Sequence, residues 1–219
     1  LLKLPNSDKY LMMGFYHDRI LPRLIESACS AEPVMQVRRQ VVPLCSGTVL
    51  EIGAGTGINF HLYDPSQVTK VWALEPSLGM RRLARKRLRN PLPVEFQWLD
   101  LPGEQVPLAD NSVDTVLLTY TLCTIKDSEK ALQQMLRVLK PGGQLLFCEH
   151  GLAPDSGIRR IQNILTPVWK RLAGGCHLNR PIQDCIQSAG FEITSSEVRY
   201  LENLPRFAAF TYTGRAIKR

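Results

Sequence analysis

The chain has 219 residues, 44% hydrophobic and 21% charged, with a formal net charge of +7 at pH 7. That is enough chain for one α/β domain with a full core, and the near-average composition excludes a disordered tail, a collagen-like chain and a coiled-coil rod. No uncharged apolar run approaches the roughly 18 residues of a membrane-spanning helix. The longest candidate, TVLLTYTLCTI (115–125), is rich in β-branched residues and reads as a buried strand.

Taken in chain order, residues 1–47 read as helical. FYHDRILPRLIESA (15–28) puts Phe15, Ile20, Leu21, Leu24, Ile25 and Ala28 on one stripe, with Pro22 kinking the helix or marking its first turn. A second helix follows Pro33. Residues 48–52 are the first strand, 71–74 the second, 93–99 the third and 114–123 the fourth. SEKALQQMLRVLK (128–140) is an amphipathic helix, capped by Asp127 or Ser128 and ended by PGG (141–143). Residues 144–150 form the fifth strand. Residues 151–183 have no clean period and carry Pro154, Pro167 and Pro181, so they read as an irregular helical insertion. A short helix at 184–191 precedes strands at 192–201 and 207–217, joined too closely for a crossover and therefore antiparallel neighbours.

Strands alternating with helices imply an α/β fold: a doubly wound, seven-stranded, mostly parallel Rossmann-like sheet with an antiparallel last strand. The expected organisation is one domain over 1–219. It comprises a helical cap (1–47), a core (48–150), an insertion (151–183) and C-terminal strands (184–219).

The positive charge raises nucleic acid and anionic membrane as partners. Much of it sits in RRLARKRLRN (81–90), where Leu83, Ala84 and Leu88 share one helix face and no aromatic residue interleaves the charges. A solvated helix face is the favoured reading, nucleic acid is a disfavoured partner, and peripheral membrane contact stays open. The six cysteines show no C-x-x-C or paired zinc spacing, so reduced thiols, no metal and a cytoplasmic location are expected, with no signal-peptide pattern at the start. Oligomeric state is not legible.

VLEIGAGTGINF (49–60) is the most informative stretch: a strand runs into Gly53, Gly55 and Gly57, and a helix is expected next. Glycines allow a tight turn and close backbone approach, and a nucleotide-type ligand belongs outside the carboxyl end of such a strand. The dinucleotide pattern fails, because its third glycine position holds Ile58, and the phosphate-gripping lysine motif is absent. Glu75, at the end of the second strand and 22 residues after Gly53, stands where a carboxylate accepts from ribose hydroxyls. Ribose is implied and pyrophosphate is not.

With E-x-G-x-G-x-G (Glu51, Gly53, Gly55, Gly57), Glu75 and LKPGG (139–143) in register, the sequence resembles the class I S-adenosylmethionine-dependent methyltransferases. The resemblance implies S-adenosylmethionine as cofactor, held by Glu51, Gly53, Ala54, Gly55, Gly57, Glu75 and Pro76, with Gly103 and Glu104 beside the adenine and Thr119 facing the amino group. Many relatives carry an Asp where this chain has Pro102, so Asp100 is not expected to contact the adenine. A narrower resemblance rests on TLCTI (121–125), CEH (148–150) and TPVWKRLAGGCHLNR (166–180), which look like the methyltransferase-like thiol S-methyltransferases and their bacterial relatives.

Methyl transfer from a sulfonium is an in-line displacement, with acceptor and methyl carbon about 3–3.5 Å apart. The expected acceptor is a small, apolar or thiol molecule; a lipid or quinone is the alternative, and RNA or DNA methylation and non-catalytic cofactor binding rank below. A free thiol is mostly protonated at neutral pH. His150 is the first candidate base and His177 the second, and the other route is capture of thiolate from solution with no base. His17 and His61 read as structural. Tyr16, Cys123 and Trp169 are expected around the acceptor, with Asn179 and Arg180 orienting the insertion.

Overall fold

The computed structural model describes residues 15–89, 92 and 94–218; the expected helical character of 1–14 lies outside them. Seven strands form one sheet in the order β3-β2-β1-β4-β5-β7-β6. They are β1 (Gly47–Ile52), β2 (Val68–Leu74), β3 (Glu95–Leu99), β4 (Val113–Thr119), β5 (Leu139–His150), β6 (Glu192–Tyr200) and β7 (Phe210–Ile217). β1 to β5 pair in parallel, while β7 runs antiparallel to both β5 and β6. The helices are α1 (Leu21–Cys29), α2 (Glu32–Val41), α3 (Leu78–Arg87), α4 (Ser128–Val138), α5 (Ser156–Leu172), α6 (Ile182–Ser188) and the short α7 (Arg206–Ala209).

The two-residue period of the central strands builds two cores. Val116 and Leu118 of β4, with Leu145 and Phe147 of β5, face Leu132 and Met135 of α4. The alternate residues Leu117, Leu146 and Cys148 face Val34, Val37 and Val41 of α2. All these strand residues are buried, which explains near-continuous apolar runs in place of alternation. β1 lies between β2 and β4, so crossovers leave it in opposite directions and open a crevice at its carboxyl end.

Several expectations are corrected. No regular helix follows the glycine loop: residues 53–67 are a chain of turns, such as Phe60 N donating to Gly57 O and Leu62 N to Asn59 O. The fourth strand stops at Thr119 rather than Cys123, because Tyr120 has φ 53° and leaves extended geometry. The stripe over 15–28 divides. Tyr16–Ile20 is a π-helical turn whose wider winding shifts the register, so Leu21 is buried while Phe15, Ile20 and Leu24 are exposed.

The insertion is also more regular than its sequence suggested, since α5 runs 17 residues with Pro167 inside it. The fully buried Gln162 anchors this helix. Its Nε2 donates to Gly151 O (2.9 Å) and Phe207 O (3.0 Å), and its Oε1 accepts from Ala153 N (3.0 Å). Three bonds from one buried amide tie the helix to the segments on either side of it.

Candidate active site

The carboxyl ends of β1, β2 and β4 open into a cavity of about 770 Å³, a size that suits a cofactor-scale ligand. One wall is the glycine loop. Gly53 N and Ala54 N both donate to Leu74 O (2.8 and 3.0 Å), folding the loop back over β2. A side chain at Gly53 would meet Thr121 at 2.3 Å, so this glycine is required for close approach. Gly55, at φ +57°, has only Gly53 O near its missing Cβ, at 3.7 Å, so its bare backbone faces open space.

Glu75 lies on the same wall and is 7% exposed. Its Oε2 accepts from Gly55 N (2.9 Å) and its Oε1 from Ser77 N (2.8 Å). Burial raises its carboxyl pKa, although the Ser77 and Gly55 amides and Arg81 oppose the rise. Each oxygen keeps a lone pair for another donor. Ile52, Leu74, Pro102, Gly103 and Ile125 form an apolar side of the cavity, with Glu104 at its edge. Asp100 is exposed and paired with Arg81.

Beneath the loop is a buried polar network. Arg38 Nη1 donates to Asn59 Oδ1 (2.9 Å) and Thr119 Oγ1 (2.7 Å). Asn59 Nδ2 and Tyr63 Oη donate to the two Glu51 oxygens at 2.7 and 2.8 Å. Burial raises the Glu51 pKa, while the Tyr63 and Asn59 bonds and the Arg38 charge pull it down. Glu51 and Gly57 thus lie behind the cavity wall, Gly57 because a side chain there would strike Phe60.

Sequence reasoning missed Arg38, His17 and Cys29, all on the cavity wall. A signal for Arg38 was present: Val34, Val37, Arg38 and Val41 share the buried face of α2. Nothing local marked His17 or Cys29, which reach the cavity because the π turn and α1 fold across it.

The residues expected around the acceptor gather elsewhere. Tyr16, Cys123, His150, Trp169 and His177 do not line this cavity. Tyr16 Oη donates to Leu172 O, and Trp169 packs edge-on against Phe207. Cys123, His150 and Cys176 form a cluster just past Thr124 and Gly174, which do line it. His150 Nε2 is 3.2 Å from Cys176 Sγ, while its Nδ1 is sealed from solvent without a partner. Burial opposes charge on His150, but the Cys176 sulfur and Glu149 outweigh it and raise the pKa. The bond from Cys123, with His150 and Trp169, holds the Cys176 thiol well below its usual value; the same bond and burial push Cys123 up.

This cluster is held by its backbone. Glu149, fully buried, accepts from Thr121 N (2.7 Å) and Leu122 N (3.1 Å). Arg180 Nη1 donates to Leu122 O (2.7 Å), and His177 N donates to Cys123 O (2.9 Å). Asn179 Nδ2 donates to Asn163 Oδ1 (2.8 Å). Arg180 thus ties residues 151–183 to the turn after β4, while the Asn179 bond stays within that segment. His61 is exposed among the turns after the glycine loop.

Residues 50–147 match the family described as a methyltransferase domain. Over 147 residues the chain is 37% identical to the thiol S-methyltransferase TMT1B of Rattus norvegicus, covering 66% of this chain and 59% of that protein. It is 34% identical over 122 residues to the demethylmenaquinone methyltransferase of Clavibacter sepedonicus, covering 56% and 49%. The chain thus spans about three fifths or less of these curated relatives. Among solved structures, an S-adenosylmethionine-dependent methyltransferase from Thermotoga maritima, titled a possible histamine N-methyltransferase, superposes with a TM-score of 0.65. It is 24% identical and covers 94% of this chain and 100% of that one, a likeness of fold.

Proposed function

On the premise that residues 50–147, which match a methyltransferase domain, use S-adenosylmethionine, we propose that the protein methylates a small apolar thiol. The observation that carries the reading is the cavity itself: a buried carboxylate and a bare, positive-φ glycine face one space at the switch point of the sheet. These residues fit S-adenosylmethionine. Glu75 would accept from the ribose hydroxyls, Gly53 to Gly55 with Ala54 would lie along the methionine and ribose, and Pro76 would close the ribose side. The apolar surface around Gly103 suits a planar base, with Glu104 at its rim. Thr119 already accepts from Arg38 and Asn59, so its hydroxyl proton is free to serve as donor.

When bound, S-adenosylmethionine supplies an electrophilic methyl group on a sulfonium. The chain's own task is to orient it and exclude water. Leu21, Ile25 and Cys29 of α1 would cover the acceptor side, where a dry pocket favours the merging of thiolate and sulfonium charge into neutral products. We read the acceptor as thiolate captured from solution, since the candidate base His150 is turned to Cys176 and does not line the cavity. The thiol S-methyltransferase relatives support the acceptor class. The match to a demethylmenaquinone methyltransferase favours a quinone-like acceptor as the second reading.

The test is formation of S-adenosylhomocysteine with an alkyl thiol, a quinone-like phenol, a phospholipid and an RNA mixture offered separately. Turnover with the thiol alone supports the first reading, and turnover with the phenol alone replaces it by the second. Cofactor binding without turnover on any acceptor refutes both.

A further inference from the structure

We infer that Cys123, His150 and Cys176 form a binding site for a thiophilic divalent cation, for which Zn2+ is the natural occupant. This stands apart from the acceptor reading and departs from the metal-free expectation drawn from sequence spacing. The three side chains come from the turn after β4, the last residue of β5 and the loop after α5, so no local motif announces them.

Their donor atoms all lie within 4.8 Å of one another, and His150 Nε2 is already 3.2 Å from Cys176 Sγ. Zinc bond lengths at tetrahedral angles put ligand atoms about 3.6–3.8 Å apart. Shifts below about 1 Å would seat the ion. The donor set is two sulfurs and one imidazole, which selects a soft or borderline d10 ion over Mg2+ or Ca2+. Cys123 and Cys176 are buried at 2% and 8% exposure, so the site is shielded from competing surface ligands.

The framework is hydrogen-bonded before any ion arrives. Glu149 fixes the turn that carries Cys123, and the His177 N bond to Cys123 O stitches that turn to the loop of Cys176. Such support sets ligand orientation in metal centres. Each thiol binds as thiolate and His150 through an unprotonated Nε2, and any protons these three groups carry are released to solvent. Three protein ligands leave a fourth position, for water or an exogenous sulfur donor. The neighbouring Thr124 and Gly174 line the main cavity, so this position borders the space where an acceptor would enter.

Cobalt titration tests the site, using the full chain stripped with chelator and kept under a phosphine reductant so that no disulfide forms. One equivalent of Co2+ should give a thiolate-to-cobalt charge-transfer band and d–d absorption of tetrahedral intensity, both erased by one equivalent of Zn2+. Cys123→Ser and Cys176→Ser should each weaken Co2+ binding at least 100-fold, while Cys185→Ser leaves it unchanged. Wild-type protein without the band overturns the inference, as does a band that persists in the Cys123→Ser/Cys176→Ser double variant. If that variant fails to fold, X-ray absorption of zinc-loaded wild type decides: two sulfurs and a nitrogen support the site, and no sulfur in the shell removes it.

Discussion

The two sides of the cavity are built differently. The side proposed for the cofactor is backbone: a loop of positive-φ glycines, strand-end amides and one carboxylate that bonds two of them. The side proposed for the acceptor is side chains from distant segments, with Leu21 and Cys29 from α1 meeting the turn after β4 and the loop after α5. A backbone site is encoded in consecutive residues and tolerates few substitutions. A side-chain site is encoded in packing, and its members carry no local mark. The same contrast separates Glu51 and Asn59, which brace the glycine loop from eight positions apart, from His150 and Cys176, which meet across 26.

The largest expected effect is on the backbone side. Gly55→Val should abolish S-adenosylmethionine binding by calorimetry, because a β-branched residue is strained at φ +57° and projects into the cavity. Unchanged affinity would mean that the loop does not approach the cofactor. Arg38→Ala should cost roughly 3–5 kcal/mol of folding stability in a denaturant titration, since it strips a buried charge from Glu51's network and leaves Asn59 Oδ1 without its donor. A loss below about 1 kcal/mol would place that network in contact with water.

Glu75→Gln should weaken cofactor binding by about 1–3 kcal/mol through lost charge-assisted bonds. It also carries a pH signature. Burial raises the Glu75 pKa above 4.5, so wild-type affinity should begin to fall on acidification at a pH above the ordinary carboxylate range, while the Gln variant is weak and flat there. Folding stability moves the opposite way. The native state holds this proton where the unfolded chain has lost it, so Glu75 lowers stability as pH rises from 4.5 through its raised value. Parallel pH profiles for both proteins would assign the dependence to another group.

Smaller effects sharpen the acceptor side. His17→Ala should change thiol turnover by less than about tenfold, against the roughly 10²–10⁴ that a general base supplies, with a pH profile that still follows the thiol's own ionisation. A changed profile would make His17 the base. Asp100→Ala should be nearly silent in cofactor affinity and cost at most about 1 kcal/mol of stability, since Asp100 is the exposed member of its pair with Arg81. A marked loss of affinity would bring Asp100 back to the adenine.

By itself the sequence determined the parallel sheet with its antiparallel β7, the crevice above β1, and the positions of Gly53, Gly55 and Glu75. Apolar runs of strand length and glycine turns act over a few residues, and their physics is local. Only the tertiary structure decided that the glycine loop continues as turns rather than a helix, that β4 breaks at Tyr120, and that α5 runs on through Pro167 with Gln162 anchoring it. It alone turned His150 toward Cys176 and away from the cavity, and brought His17, Cys29 and Arg38 to the wall. Those outcomes depend on burial and on bonds between residues far apart in the chain, whose energies exist only once the segments have packed.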